Sequence, residues 1–499
     1  MSYNEFLMSP NTLEKFLQKP AADFTKKDII QYIRENDIKM LNFHYIPEDG
    51  RIKTLNFIIN SQAHLEEVLS LGERVDGSSL FSYIQPEASD LYIVPRFKSA
   101  FVDLFSTIPT LGFLCSFFDK DGEFFEGAPS YMISKAKQKL LDETGYELEA
   151  MGELEYYIIT QKDELFPAED QKGYHASSPF NKTANFRREA MEMISKYGGK
   201  IKYGHSEVGN FTIGQKNYEQ NEIEFLPVSL EDAADQLVIA KWILRKLAYR
   251  KGYTITFSPK ITVGKAGSGL HIHLRLKKGK EEVMLNNREL SEIAKRAISG
   301  VLYFAKSLTA FGNTNPSSYF RLVPNQEAPT TICWGYRNRA VLVRVPLGWN
   351  SANNMSEKAN GSDTASTFMA TNKQTFEFRC PDGSADIHFL IAGLTIAVNY
   401  GLTNSNGLAE SDELLYDISG IESNKTLNDF KVLPISCHHS AQALKKYRHD
   451  YEKDGIFPVE VISQTIAKLE SFHDDGMIEQ MDGDIEGLMK LVDQYFHCG

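Results

Sequence analysis

The sequence predicts an α+β protein in two parts, on the basis of three observations. The chain has 499 residues, 42% of them hydrophobic and 24% charged, which is enough for two or more domains of ordinary globular composition. Near its start, a helical pattern is followed by strand-like runs. From about residue 126, short strands alternate with long helices. We therefore expect a first domain over residues 1–125 and a second over residues 126–499.

The first part contains the pattern of a helix followed by a hairpin. Thr25 and Asp28 have the spacing of a capping box, which predicts that a helix begins there. Strands are predicted at residues 38–46, 51–59, 90–94 and 111–118. A turn-prone Pro-Glu-Asp-Gly segment separates the first two strands, so this part is predicted to be a small α+β module.

The second part has two strongly helical patterns, at residues 183–198 and 231–252. The most apolar long segment, residues 387–399, is interrupted by His388 and Asn399. It is also shorter than the ~20 residues that a membrane span needs. It therefore predicts a buried helix.

Charge and cysteine usage exclude several classes of protein. The net charge of -12, from 66 acidic and 54 basic residues, argues against an electrostatic interaction with nucleic acid or an anionic membrane. The five scattered cysteines include no C-x-x-C pair, so neither a disulfide framework nor a thiolate zinc site is indicated. The first residues do not resemble a secretion signal. We expect a cytoplasmic protein that binds neither nucleic acid nor membrane.

The stretch GSGLHIHLRL, residues 267–276, alternates apolar and polar residues as a strand with one buried face does. The apolar members are Leu270, Ile272, Leu274 and Leu276, and the polar members are His271, His273 and Arg275. One face is expected to pack in the core. The other would meet a ligand or water.

Three further strands have the same pattern. Their charged pairs are Glu153 with Glu155, Glu222 with Glu224, and Glu377 with Arg379. Taken alone, each is more simply explained as the solvated side of a sheet. Four in one chain favour a shared cation site, because clustered carboxylates repel one another. Oxygen-rich sites with one imidazole suit Mg²⁺ or Mn²⁺, and two such ions ~4 Å apart would hold a phosphoryl group.

Residues 317–345 supply cationic groups, among them Arg321, Arg339 and Arg344. Guanidinium groups bind phosphate and carboxylate oxygens bidentately, which suits a nucleotide triphosphate and an amino acid. The alternative is a set of surface arginines. Arg339 and Arg344 are five residues apart, so one regular strand would place them on opposite faces. They converge only if Arg339 precedes the strand.

Taken together, these segments resemble glutamine synthetases of the bacterial type I form. The matching motifs occur in family order: RVDGSSL at 74–80, GELEYY at 152–157, NEI at 221–223, FSPK at 257–260, GSGLHIH at 267–273, RLVP at 321–324, EAP at 327–329, RNR at 337–339, RVP at 344–346 and FEFRCPD at 376–382. The resemblance extends over the chain from about residue 28 to residue 420. No single motif is decisive, but the ordered set is specific.

The resemblance implies an N-terminal β-grasp domain and a glutamine-synthetase/guanido-kinase-like catalytic domain whose strands form a half-barrel funnel. ATP would enter the funnel at one end and glutamate at the other. It also implies a homo-oligomer, a dodecamer of two stacked rings of six, with each active site between neighbouring subunits. The Asp76 loop would then serve the adjacent subunit's funnel.

The resemblance assigns roles to individual residues. Glu155, Glu207 and Glu222 would hold one metal ion, and Glu153, His271 and Glu377 the other. His273, Arg339 and Arg344 would contact the nucleotide phosphates, and Arg339 would also stabilise the transferring phosphoryl group. Arg321, Arg379 and Gly267 would bind glutamate, and Asp76 and Glu327 would bind ammonium, with Ser79 and Tyr174 nearby.

The implied reaction is ATP-dependent formation of glutamine. ATP would phosphorylate the γ-carboxylate of glutamate to an acyl phosphate, and ammonia would then displace phosphate. Cations would neutralise the phosphoryl oxygens, while Asp76 and Glu327 would accept a proton from ammonium. The flap at residues 325–328 would exclude water.

The sequence departs from the family pattern in several places. Ala266 stands where the family typically has an asparagine that touches glutamate, and residues 211–220 form an insertion. The excursion at 350–373 is longer than the usual link, and Tyr416 falls where some bacterial members carry an adenylylated tyrosine. These departures leave open the regulation and the choice of amine, and the sequence does not determine the preferred metal.

Two alternatives to glutamine formation therefore remain. One is a relative that joins glutamate to a larger amine or polyamine. The other is a non-catalytic, ring-forming protein on the same scaffold, because a fold does not determine a function. Such a protein would have lost its ligands, whereas six candidate metal ligands are present.

Overall fold

The computed structural model describes residues 3–323, 328–348, 355–361, 373–416, 425–481 and 484–499. It confirms the α+β prediction, with one mixed sheet in each part of the chain and helices packed against both. Within the described ranges no single helix is long and apolar enough to cross a membrane, although Ile387–Thr403 and Gly407–Glu413, bent by 107°, meet that test as a pair by length and composition.

The first part is a six-stranded sheet with helices. Its helices are α1 (Tyr3–Met8), α2 (Thr12–Leu17), α3 (Lys26–Glu35) and α4 (Gln62–Leu71), and its strands are β1 (Met40–Tyr45), β2 (Lys53–Ile58), β3 (Glu73–Asp76), β4 (Asp90–Pro95), β5 (Phe101–Val102) and β6 (Thr110–Phe118). The strand order is β2-β1-β6-β4-β3, with β5 beside β6. The central β1 and β6 are parallel, and the predicted capping box of Thr25 and Asp28 begins α3. This arrangement agrees with the expected β-grasp fold.

The second part contains twelve strands and eleven helices in the described ranges. The strands are β7 (Glu147–Gln161), β8 (Ile201–Ile213), β9 (Lys216–Phe225), β10 (Val228–Ser229), β11 (Thr254–Thr256), β12 (Leu270–Lys278), β13 (Glu281–Glu282), β14 (Leu285–Asn286), β15 (Glu289–Leu290), β16 (Trp334–Tyr336), β17 (Val343–Val345) and β18 (Phe376–Phe378). The helices are α5 (Pro129–Thr144), α6 (Ala184–Lys196), α7 (Leu230–Lys251), α8 (Glu292–Gly312), α9 (Met355–Asn360), α10 (Ile387–Thr403), α11 (Gly407–Glu413), α12 (Cys437–Glu452), α13 (Val459–Glu470), α14 (Met477–Gln480) and α15 (Ile485–Gln494).

The large sheet has the order β16-β17-β18-β12-β7-β9-β8 and curls into a half-barrel around one cavity. Its convex face packs on the helices through the apolar side of each strand. On β7, Leu154, Tyr156 and Ile158 are completely buried, and on β12 the predicted leucines and isoleucine are as well. Gly152 lets α7 approach β7, since a Cβ there would lie 2.7 Å from the Leu237 side chain. The concave face is thereby left to the charged residues.

A buried ion pair joins the two parts of the chain. Arg96 follows β4, and its Nη1 lies 2.8 Å from Asp235 Oδ2 on α7. His388 on α10, the predicted buried helix, lies 3.2 Å from the other oxygen of Asp235. Burial alone would raise the pKa of Asp235, but Arg96 and His388 outweigh it and lower that pKa. The carboxylate is therefore held charged between two basic groups.

His44 lies in the aromatic contact between the two parts. Its ring stacks on Phe101, with ring centres 5.5 Å apart, and meets Trp242 of α7 edge-on at 5.2 Å. Nδ1 lies 2.8 Å from Thr54 Oγ1, whereas the buried Nε2 has no hydrogen-bond partner within the described chain. Burial lowers the pKa of His44 from 6.5 to about 4, which Asp103 opposes and Lys246 reinforces.

We expect His44 to make folding sensitive to acid. Below pH 6.5 the unfolded chain gains a proton at His44 that the folded chain does not accept until about pH 4. Stability is thus lost as the pH falls across this interval, by up to about 3 kcal/mol. His44→Phe should lessen the loss by that amount, measured as the unfolding free energy at pH 7 and pH 4. His439→Gln, at a histidine that is 45% exposed, should not change the stability that is lost between pH 7 and pH 4. If His44→Phe and wild type lose the same unfolding free energy over this interval, the prediction is contradicted.

Candidate functional site

Three rows of charged residues cross the concave face of the large sheet. In antiparallel pairs, directly opposed residues have their side chains on the same face, so the strand register determines which groups meet. The rows are His205–Glu222–Glu155, Glu224–Glu153–His271 and His273–Glu377–Arg344. The first two rows lie two residues apart along β7 and β9, so they share a face. The register thus gathers residues that are far apart in sequence.

The rows line a cavity of about 1290 Å³. Most of the predicted site residues line it too: Glu153, Glu155, Glu207, Glu222, His271, Glu377, His273, Arg339, Arg344, Arg321, Arg379, Gly267 and Tyr174. The prediction that His271, His273 and Arg275 share one face of their strand is confirmed. The cavity is large enough for a nucleotide and a small second substrate.

Carboxylates and imidazoles approach closely in this cavity. His271 Nδ1 lies 2.9 Å from Glu153 Oε2 and 3.5 Å from Glu377 Oε1, and His273 Nε2 lies 2.8 Å from Glu153 Oε1. Among the described residues, the groups whose ligand atoms could hold a metal ion are Glu153–His273–Glu377, Glu153–Glu222–His271 and His205–Glu222–Glu224. His271 lies close to both Glu153 and Glu377, but the groups that could hold an ion combine Glu153 and Glu377 with His273, and combine Glu153 and His271 with Glu222. Around Glu222, however, the close partners include His205 and Glu224 in addition to the predicted carboxylates.

The charges of the carboxylates around Glu222 favour a bound cation. Burial, together with Glu153, Glu155, Glu207 and Glu224, raises the pKa of Glu222 well above its ordinary value. A buried carboxylate among four others is costly unless a positive charge lies between them. A divalent ion with oxygen and imidazole ligands would supply that charge.

Glu153 differs from Glu222, because its pKa is lowered by the imidazoles beside it. Burial alone would raise the pKa of Glu153, but His273 and His271 outweigh it and hold that pKa well below its ordinary value. Burial likewise opposes protonation of His273, yet Glu153 raises the pKa of this imidazole. The imidazoles therefore stabilise the charged form of Glu153, the form that ligates metal ions.

The arginines form a second, cationic side of the cavity. Glu377 is 1% exposed; its oxygens lie 2.9 Å from Arg344 Nη1 and 3.4 Å from Arg379 Nη1. Arg339 precedes β17, as convergence with Arg344 requires, and Tyr174 raises its pKa against the effect of burial. Nε of Arg344 and Nε of Arg379 are buried without a hydrogen-bond partner in the described chain. These donors suit an anionic substrate.

A loop with two glycines before β12 contacts Glu155, a predicted metal ligand. The Gly269 N–H donates to Glu155 Oε2 at 2.7 Å, and Gln220 Nε2 donates to the same oxygen at 3.0 Å and to Gly267 O at 2.9 Å. A Cβ on Gly269 would lie 2.5 Å from Arg321 Nη2 and 2.8 Å from His271 Nε2, so a larger residue here would displace these two side chains. The loop that borders the predicted glutamate site is thereby tied to a predicted metal ligand.

Some predicted residues lie elsewhere. Asp76 ends β3 and Ser79 lies in the turn that follows, on an exposed edge of the first part, and neither lines the cavity. The hydroxyls of Ser79 and Ser78 donate to Asp76 at 2.6 and 2.7 Å and lower the pKa of its carboxyl. Tyr416 lines a separate cavity of about 530 Å³.

Other predicted residues lie outside the described ranges. Glu327 is among them, with most of the predicted flap at residues 325–328. Of the 350–373 excursion, the structure describes α9 together with residues 361 and 373.

Sequence reasoning missed His205 as a site residue. Its Nε2 lies 2.9 Å from Glu222 Oε2, and its ring packs against those of Tyr174 and His175. The signal was present, since His205 stands two residues before Glu207 and so shares its face on a regular strand. Gln220 was also absent from the predicted set, and Glu224, although named on a charged strand face, was given no role; both line the cavity.

Comparison with known proteins agrees with this geometry. Residues 37–120 match the family described as glutamine synthetase, beta-grasp domain, and residues 126–467 match glutamine synthetase, catalytic domain. Glutamine synthetase of Pyrococcus furiosus is 31% identical over 83% of this chain and 86% of its own length, and that of Thermotoga maritima is 29% identical over 85% and 90%.

Solved structures show the same fold. A cryo-electron microscopy structure of Plasmodium falciparum glutamine synthetase aligns with a TM-score of 0.73 at 19% identity, over 91% of this chain and 96% of that one. Apo GmaS without ligand aligns with a TM-score of 0.67 at 18% identity, over 90% and 96%. The conclusion from the two family matches is that this chain belongs to the glutamine synthetase family.

Proposed function

We propose that this protein joins ammonia to the γ-carboxylate of L-glutamate at the expense of ATP, giving L-glutamine, ADP and phosphate. The observation that carries the proposal is the cavity in which a wall of carboxylates and imidazoles faces Arg339, Arg344 and Arg379. An acidic wall suits divalent cations, and the arginines suit phosphoryl and carboxylate oxygens.

The donor set fits two or more Mg²⁺ or Mn²⁺ ions, because burial and four neighbouring carboxylates together raise the pKa of Glu222, and cations would offset both effects. Glu155, Glu207 and Glu222 would hold one ion, and Glu153, His271 and Glu377 the other. When bound, such ions neutralise the oxygens of ATP and of the transferring phosphoryl group. His205 and Glu224 lie close enough to Glu222 to orient its carboxylate.

Other residues of the chain would bind the substrates and neutralise the transferring group. Arg321, Arg379 and Gly267 bind glutamate, with the γ-carboxylate towards the nucleotide. His273, Arg339 and Arg344 bind the phosphates, and Arg339 neutralises charge as the γ-phosphoryl group passes to the carboxylate. The phosphoryl transfer gives the γ-carbon a good leaving group, phosphate, in place of hydroxide, which is a poor one. Ammonia then attacks the acyl phosphate after ammonium has given its proton to Asp76 or Glu327.

Asp76 can act in catalysis only if several copies of the chain assemble. It lies off the cavity of its own chain, on an exposed edge with Ser79, so it reaches an active site only in a neighbouring subunit. We propose the dodecamer of two stacked rings of six, in the cytoplasm, that the family resemblance implies. The division into residues 1–125 and 126–499 is part of the same proposal, supported by a separate apolar core in the first part.

A second candidate is a γ-glutamyl ligase that uses a larger amine. Ala266 favours it, because this buried residue supplies no side-chain amide where the family pattern expects one. Its N–H is instead bonded to Gln171 and its carbonyl to the Tyr157 hydroxyl, at 2.7 and 2.9 Å.

The test is ATP-dependent phosphate release with glutamate, comparing ammonium, methylamine, ethylamine and spermidine at equal concentration. We expect the highest kcat/KM with ammonium and glutamine as the product by mass spectrometry. A larger amine that exceeds ammonium tenfold would select the second candidate. No phosphate release with any amine, from folded protein supplied with Mg²⁺ or Mn²⁺, would overturn both.

A further inference from the structure

We propose that Gln171 is a positioning residue that sets the glutamate-binding loop, an inference that rests on the proposed function. Gln171 lies in a segment between β7 and α6, and its Oε1 accepts a hydrogen bond from the Ala266 N–H at 2.7 Å. Ala266 is 6% exposed and immediately precedes Gly267, which lines the cavity. The side chain of one segment therefore holds the backbone of another.

The segment that carries Gln171 is itself fixed to the edge of the large sheet. N–H groups of Gln171, Gly173 and His175 donate to the carbonyls of Asn210, Val208 and Ser206, at 2.8, 3.2 and 2.9 Å. Alternate N–H groups of the segment thus bond to alternate carbonyls of β8. A Cβ on Gly173 would lie 2.4 Å from Glu207 O, so only glycine allows this contact. Gln171 is consequently anchored to the strand that carries Glu207, a proposed metal ligand.

The loop is held on both sides of Gly267. Gln171 binds the Ala266 N–H, and the Tyr157 hydroxyl donates to Ala266 O at 2.9 Å. On the other side, Gly267 O and the Gly269 N–H are bound by Gln220 and Glu155. Without Gln171, the buried Ala266 N–H loses its acceptor, while the bonds to Ala266 O, from the Ser268 N–H and from the Gly269 N–H remain. We expect the backbone at Ala266 to rotate about these remaining restraints and the cavity wall at Gly267 to change shape.

The inference predicts a selective kinetic change. Gln171→Met keeps the length of the side chain but removes the acceptor, so a buried N–H is left unpaired. We expect the KM for glutamate to rise about tenfold, with kcat and the KM for ATP within about twofold of wild type. Gln171→Glu restores an acceptor at the same position and should bring the KM for glutamate back to within about threefold of wild type.

A control variant and a second measurement make the test decisive. Lys172→Met alters the adjacent residue, which is 71% exposed and paired with Glu169, and should leave every constant unchanged. Hydrogen exchange of the peptide covering residues 261–269 should be faster in Gln171→Met than in Lys172→Met, whether or not substrate is present. An unchanged KM for glutamate in Gln171→Met, or unchanged exchange, overturns the inference.

The two proposals fail in different ways. If the wild-type protein releases no phosphate with glutamate, the proposed function fails, and the role of Gln171 in a glutamate site fails with it, although faster exchange would still show that Gln171 holds the loop. If the wild type is active and Gln171→Met loses thermal stability without a change in the KM for glutamate, Gln171 is structural only. The proposed function is then unaffected.

Discussion

Glu377→Gln should lower phosphate release by at least about a hundredfold at saturating Mg²⁺. Glu377 is 1% exposed, and its oxygens lie within 3.5 Å of Arg344, Arg379 and His271. The amide keeps the shape of the side chain but removes the charge that two guanidinium groups share and that the proposed metal ion would share with them. Both the ion and the orientation of the arginines are therefore expected to be lost. Phosphate release should be followed as a function of Mg²⁺ and Mn²⁺ concentration.

Glu219→Gln is the matched control for this change. Glu219 is on β9 of the same sheet and is 2% exposed, but its oxygens accept from the backbone N–H groups of Lys182 and Thr183, away from the cavity. Its loss should lower stability and leave kcat within about threefold of wild type. Titration calorimetry with Mn²⁺ provides a readout that does not depend on turnover. Metal binding and turnover like those of wild type in Glu377→Gln would refute the assignment.

The alternation of residues along β12 was sufficient to predict which of its side chains face the cavity. It placed His271 and His273 opposite the leucines of β12, because side-chain direction follows a period of two wherever a strand is regular. Arg339 shows where this reasoning needed a condition, since its convergence with Arg344 depended on where β17 begins. The condition holds, because β17 begins at Val343.

The register between strands could not be predicted in the same way. That Glu222 lies opposite both Glu155 and His205 is a property of pairing between distant segments. A one-residue shift would have sent those side chains to the other face. Nothing local to the sequence distinguishes Gln171 either, since its partner at Ala266 is brought near only by the packing of two loops. Such contacts follow from the assembled fold and not from the pattern of any one element.

Asp235→Leu should destabilise the protein by about 3–5 kcal/mol, the largest effect on stability that we expect outside the cavity. The change leaves Arg96 buried beside α7 without the carboxylate that lies 2.8 Å away, while His388 loses its partner at 3.2 Å. Arg96→Met should cost less, because the Asp235 carboxylate that remains keeps its contact with His388. The double variant, Arg96→Met with Asp235→Leu, should recover most of the loss, because no charge remains buried alone.

A solvent-exposed ion pair between the same two parts of the chain serves as a control for the effect of burial. Lys98 Nζ lies 2.9 Å from Asp232 Oδ1, with side chains that are 37% and 49% exposed, so Lys98→Met should cost no more than about 1 kcal/mol. Denaturant unfolding of the four variants against wild type measures these differences. If Asp235→Leu costs no more than Lys98→Met, the buried pair does not hold the two parts together. If it costs as much as predicted but the double variant recovers nothing, the loss comes from packing around α7 and not from the stranded Arg96 charge.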